Sequence, residues 1–134
     1  MNPPSEDLKD ILLAEAGSSL ALAYATNLYI GEVPVENDGE CVCLYDTGGE
    51  PPDAHVEYER PHVQVRVRGG KRDYLGAHSL AQGCRDALNG IYQYTINGAR
   101  YIGIWCMGDI IFVAWDDENR PVFTVNFRIH RTGA

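Results

Sequence analysis

An alternating stretch near the middle of the chain, Tyr58–Arg68 (YERPHVQVRVR), limits the possible folds more than any other part of the sequence. From Pro61 onward Val63, Val65 and Val67 point one way, and Gln64, Arg66 and Arg68 point the other. A period of two belongs to a β-strand with one buried face and one that meets water or a partner. Pro61 opens this strand, where a missing N–H costs least. Gly69-Gly70 ends it. Over Tyr74–Leu88 the spacing then becomes helical: Ala77, Leu80, Ala81, Cys84 and Leu88, with Ile91 beyond, form one stripe. Several of these side chains are small, so the helix can lie close to a sheet, and Asn89-Gly90 marks its end. A strand feeding a helix at the midpoint implies two halves packed on one sheet.

The flanking segments extend this frame. Ser5 is placed to cap a first helix over Ser5–Ala16, with Glu6 and Asp7 in the turn that the helix dipole favours for acids. Leu8, Ile11 and Leu12 give that helix an apolar face, and Gly17 with Ser18-Ser19 stops it. Leu20–Tyr24 reads as a strand-like approach to the sheet, Asn27–Gly31 as a short strand, and Asn37-Asp38-Gly39 as a turn. Cys41–Tyr45 is a continuous apolar run, the pattern of a strand buried on both faces. Asp46–Asp53 (DTGGEPPD) reads as a long exposed loop that meets solvent or a neighbouring chain. After the second helix come strands at Tyr92–Ile96, Arg100–Met107 and Ile110–Trp115, a hairpin tip at Asp116–Arg120, and a last strand opened by Pro121. Strict alternation sets Tyr101, Gly103, Trp105 and Met107 on one face of Arg100–Met107. In the last strand Phe123, Val125, Phe127 and Ile129 alternate with Thr124, Asn126, Arg128 and His130. Its length of about 30 Å would let it reach beyond its own domain. The expected fold is α+β, a mixed and largely antiparallel sheet with two helices packed on one face in the order α-β-β-β-α-β-β-β, as a single domain over residues 1–134.

The chain of 134 residues is long enough to bury roughly two-thirds of its unfolded surface. Its net charge of −8 and pI near 4.8 argue against nucleic-acid affinity built on a basic surface, although nucleic acid could still pass such a protein. No apolar run approaches the ~20 residues of a membrane span, and MNPPSEDLKD has no basic n-region or apolar h-region, so a cytoplasmic origin is expected. The cysteines at 41, 43, 84 and 106 lack the paired spacing of a zinc site and read as buried, reduced thiols.

Catalytic patterns are missing from the sequence: there is no nucleophile elbow, His-x-x-x-His, Walker sequence or dinucleotide fingerprint. Asp46-Thr47-Gly48-Gly49 lacks the lysine and the helix of a phosphate loop. Asp116-Asp117-Glu118 lacks the spaced oxygens of a calcium loop and reads as a solvated turn. His62 and His130 lie on strands beside arginines, but nothing in their spacing supports an acid/base pair. Trp105 and Trp115 fit core or interface positions better than a stacking platform for bases. The implied protein is not an enzyme and takes no cofactor or metal.

Four segments in register point further. Asn27–Gly31 with Pro34, Leu44–Gly49 with Pro51-Pro52, Tyr58–Pro61 with Val63–Arg68, and Arg120–Phe123 with Asn126-Phe127-Arg128 together resemble the minor capsid and tail terminator family of long-tailed bacteriophages. The resemblance covers essentially the whole chain. It implies an α+β virion subunit at the head–tail junction, assembled in the host cytoplasm. Such a subunit forms a ring, typically a hexamer, that caps the last ring of tail-tube protein and offers its other side to head completion proteins. DNA passes through without sequence-specific binding. A head-to-tail ring needs two unlike patches per subunit. The expected interface sets Gln64, Arg66, Arg68 and Arg128 against acidic positions Asp46, Asp53, Asp116, Asp117 and Glu118. Two alternatives remain at this level: another neck component, such as a head completion or stopper protein, and a cytoplasmic ligand-binding or enzyme domain with a concave apolar pocket.

Overall fold

The computed structural model describes residues 1–133. It contains helices α1 (Pro4–Ala16) and α2 (Tyr74–Leu88) and strands β1 (Leu28–Ile30), β2 (Cys41–Gly49), β3 (Tyr58–Glu59), β4 (Pro61–Arg68), β5 (Ile91–Ile96), β6 (Ala99–Cys106), β7 (Ile111–Trp115) and β8 (Pro121–Gly133). The sheet runs β1-β2-β4-β8-β6-β5, antiparallel apart from the β1–β2 pair. These six strands and two helices give the expected α+β order. Of the two strands outside this path, β7 is the one expected at Ile110–Trp115 and β3 is additional; both pair with β8.

The alternation in β4 has the predicted consequence. Val63, Val65 and Val67 are fully buried, opposite Phe127, Val125 and Phe123 of β8 and, on the other side, Leu44 and Val42 of β2. Both helices cover this face. Leu8, Ile11 and Leu12 of α1 and Ala77, Ala81, Cys84 and Leu88 of α2 are buried in the same core. Each large side chain of that set contributes roughly 1.5–3 kcal/mol by leaving water. Gly69 permits the close approach of α2, since a Cβ there would lie 2.6 Å from that of Ala77. Asp73 caps α2, its Oδ1 accepting from the Gly76 N–H at 3.0 Å.

Five local expectations are corrected. Ser5 does not cap α1, because the helix already begins at Pro4. Instead its N–H and hydroxyl donate to Asp46 at 2.9 and 2.7 Å. Asp46–Gly49 is not loop but the exposed end of β2, carried past a bulge to pair Gly49 with Pro61. The bulge needs a glycine: Gly49 has φ +130, and a Cβ would meet the Arg60 carbonyl oxygen at 2.5 Å. Leu20–Tyr24 forms no strand: Leu20 and Ala21 lie in a turn, Leu22 enters the core, and Tyr24 makes a single bridge to Leu28. A bulge between Tyr101 and Gly103 resets β6, so that Tyr101 and Ile104 are buried while Trp105 turns to the opposite face beside Arg128 and His130. Finally, β8 is longer than expected at 13 residues, yet it does not reach beyond the chain's own fold. Its length is taken up by β4 and β3 on one side and by β6 and β7 on the other.

Candidate interaction surfaces

Two surfaces stand out once the core is accounted for. The first is the sheet face that the helices leave bare. The register sets Cys41-Arg68-Val122, Cys43-Arg66-Thr124 and Tyr45-Gln64-Asn126 in rows across β2, β4 and β8, with His62 opposite Arg128. The residues singled out from the β4 and β8 patterns, Gln64, Arg66, Arg68 and Arg128, therefore share one face. Gln64 donates to Asn126 at 3.1 Å. Arg68 ties down the loop before β2, donating to the carbonyl oxygens of Asn37 (2.9 Å) and Gly39 (2.7 Å). Arg128 lies over the Trp105 ring at 5.3 Å. Arg66 and Arg128 are exposed and form no ion pair among the described residues.

The acidic positions are dispersed. Asp46 lies on the helix side of β2, where it holds Ser5. Asp53 accepts from the His55 N–H at the tip of the β2–β3 connection. Asp116 closes the 116–120 turn, accepting from the N–H groups of Glu118 and Arg120 and pairing with the Arg120 guanidinium at 2.8 Å. Glu118 lies 3.7 Å from Lys71, and Asp117 is exposed. Of the acids expected to meet the arginines, Asp46, Asp53 and Asp117 have no basic partner among the described residues.

Chemistry on the bare face is muted. Burial pushes up the Cys41 and Cys43 thiols, the reverse of what an activated nucleophile needs. Burial, with the Cys43 thiol beside it, pushes Tyr45 up to about 12. Burial also lowers His130, helped by Arg128 and Arg60, and its Nδ1 lies 2.8 Å from the Tyr58 hydroxyl. An open concavity of about 400 Å3, lined by Thr47, His62, Met107, Asp109, Ile111 and Asn126, borders this face. Among the described residues no three His, Cys, Asp or Glu side chains are grouped to hold a metal, and no helix is long and apolar enough to cross a membrane.

The second surface was not legible in the sequence. Strand β7 (IFVAW) is exposed at every residue: Ile111 at 50%, Phe112 at 38%, Val113 at 46% and Trp115 at 47%. It pairs only with β8, so its outer edge is free. Tyr74 packs against Phe112 and Trp115 from the start of α2, and Leu75 beside it is 79% exposed. An apolar surface this continuous is unusual on a chain that works alone. The sequence signal was six consecutive apolar residues, Ile110–Trp115, which reveal a strand but not whether its sides are covered.

The fold and the match to known families agree. One solved structure of the same fold is a chain from the virion of a native gene transfer agent (GTA) particle, with a TM-score of 0.72, 19% sequence identity, and coverage of 94% of this chain and 92% of that chain. No curated protein sequence matches. The family model described as bacteriophage tail terminator protein matches residues 8–132, from the first turns of α1 to the end of β8. The chain thus belongs to the bacteriophage tail terminator family, structural proteins of the phage tail.

Proposed function

We propose that this protein forms a ring, typically a hexamer, that caps the head-proximal end of the phage tail tube, ends tube growth and joins tail to head. The observation that carries the reading is the free apolar edge of β7, which leaves Ile111, Phe112, Val113 and Trp115 in water unless another chain covers them. Natural sheet edges of this kind are shielded by charge, proline or a covering segment, and β7 has no charged residue and no proline. A family of tail-end proteins supplies the reason for such a surface. The partners are further copies of the chain, the tail-tube protein, and the head completion proteins on the far side. The bare sheet face with Arg66 and Arg128 is a contact for an acidic neighbour in this assembly. DNA passes through the ring without being read, as an acidic chain allows.

Light scattering after size exclusion, with imaging of any large peak, tests the ring. The expected particle is annular, with a mass of about six times 14.8 kDa, in the free protein or after addition of tail-tube protein. A 14.8 kDa species under both conditions would remove the proposal. A charge reversal at Arg66 and Arg128 that left assembly intact would remove the sheet face from it.

A further inference from the structure

We infer that the free edge of β7 is the seat for the Glu50–Glu57 tip of the next copy around the ring, an assignment that rests on the ring reading above. A head-to-tail contact needs two unlike patches set apart on one subunit. The registers on β8 provide them. β7 pairs with Pro121–Thr124 on the β6 side of β8, whereas the tip returns to the sheet through β3, opposite Arg131 and Thr132 on the β4 side. The two patches are therefore diagonal across β8, roughly 30 Å apart along it. A contact between them in one direction repeats from copy to copy and closes when the rotation allows.

Shape and charge favour the same pairing. Beside β7, Arg72, Trp115 and Asn119 line a cleft of about 240 Å3. Arg72 is exposed and forms no ion pair among the described residues. Its backbone is held at φ +59, with its N–H bonded to the Asn119 carbonyl at 2.8 Å. The tip, EPPDAHVE, is exposed throughout and carries three acids. Glu50 is held by Arg60 at 2.6 Å, while Asp53 and Glu57 have no ion-pair partner among the described residues. Between these two lies Val56, 60% exposed. In the contact Val56 enters this cleft against Trp115, and the carboxylates of Asp53 and Glu57 face Arg72 of the receiving copy. Pro51-Pro52 restrict the approach, which lowers the entropy lost on docking.

The test uses the full chain with Cys106→Ser, which removes the thiol that is only half-buried. Adding Val56→Cys and Trp115→Cys together, then oxidising the assembled protein, is expected to give a ladder of covalent multimers that ends at the ring number. Either cysteine alone gives no ladder. Separately, Arg72→Glu is expected to weaken ring association by roughly ten-fold or more, and Asp53→Arg with Glu57→Arg to restore it. Rings that form, fail to cross-link and tolerate Arg72→Glu would overturn the docking and leave the ring standing. Absence of rings from the unaltered chain, with and without tail-tube protein, would instead overturn the ring reading, and the docking with it.

Discussion

Replacing Arg131 should destabilise the fold far more than its place near the end of the last strand suggests. Arg131 is 4% exposed. Its guanidinium donates to Glu59 at 2.8 and 3.0 Å, to the Tyr101 hydroxyl at 3.1 Å, to the Asn2 carbonyl at 2.8 Å and to Asp7 at 3.3 Å. Asp7 is fully buried in the first turn of α1, where it also accepts from the Tyr101 hydroxyl at 2.5 Å and from Asn97 at 2.9 Å. Burial works against the Arg131 charge, but Tyr101 and Glu59 more than offset it. Burial also pushes the Tyr101 hydroxyl far up, and its bond to Asp7 adds to this. Arg131→Met keeps the volume and strands the Asp7 carboxylate away from water without its cation. Breaking such a buried pair costs about 3–5 kcal/mol. With a urea m-value near 2 kcal/mol/M for a chain of this size, the unfolding midpoint should fall by about 1.5–2.5 M. Asp7→Leu combined with Arg131→Met should recover part of that loss, because no buried charge is then left unpaired and only the neutral Tyr101 hydroxyl loses its partners. A loss below about 1 kcal/mol for Arg131→Met, or strict additivity in the double variant, would show that the cluster behaves as a surface pair and refute the reasoning.

Three further outcomes follow from the same core. Burial alone raises the Cys84 thiol to about 12 against an ordinary 9.0, so the unfolded chain loses this proton first. The associated stability is complete below pH 9 and falls by about 1.4 kcal/mol per pH unit toward pH 12; Cys84→Ala should flatten that part of an alkaline unfolding curve, and an unchanged slope would count against it. With an aromatic disulfide reagent the native protein should show one fast thiol, Cys106, and the other three cysteines should react only after denaturation; fast reaction of Cys41 or Cys43 would mean that the loop before β2 opens readily. Gly69→Ala should cost about 1–3 kcal/mol by pushing α2 off the sheet, read as a lower thermal midpoint, whereas Gly70→Ala, with nothing within 4 Å of the new methyl, should not.

How much of this was legible follows from where each signal resides. The bounds of α2 and the two faces of β4 were readable because period and punctuation lie within the segment itself. The rows of polar residues across β4 and β8 followed from two such periods once the strands were adjacent. Ser5 was misread because its partner, Asp46, is 41 residues away, and a distant carboxylate that holds both its N–H and hydroxyl takes the place of a local cap. The β6 bulge escaped because one extra residue inverts every later side chain while leaving composition unchanged. The Asp7–Tyr101–Arg131 cluster joins residues 94 and 124 positions apart, and no local pattern announces it. Exposure of β7 depends on there being no strand beyond it, a property of topology that apolar content conceals.

The most direct test of the central claim is electron imaging of tubes grown from the cognate tail-tube protein with this chain added. Predicted are tubes that stop growing and carry a single annular density at one end, the same end in every tube. Tubes that keep growing with no added density, or with this chain bound along their sides, would contradict the account.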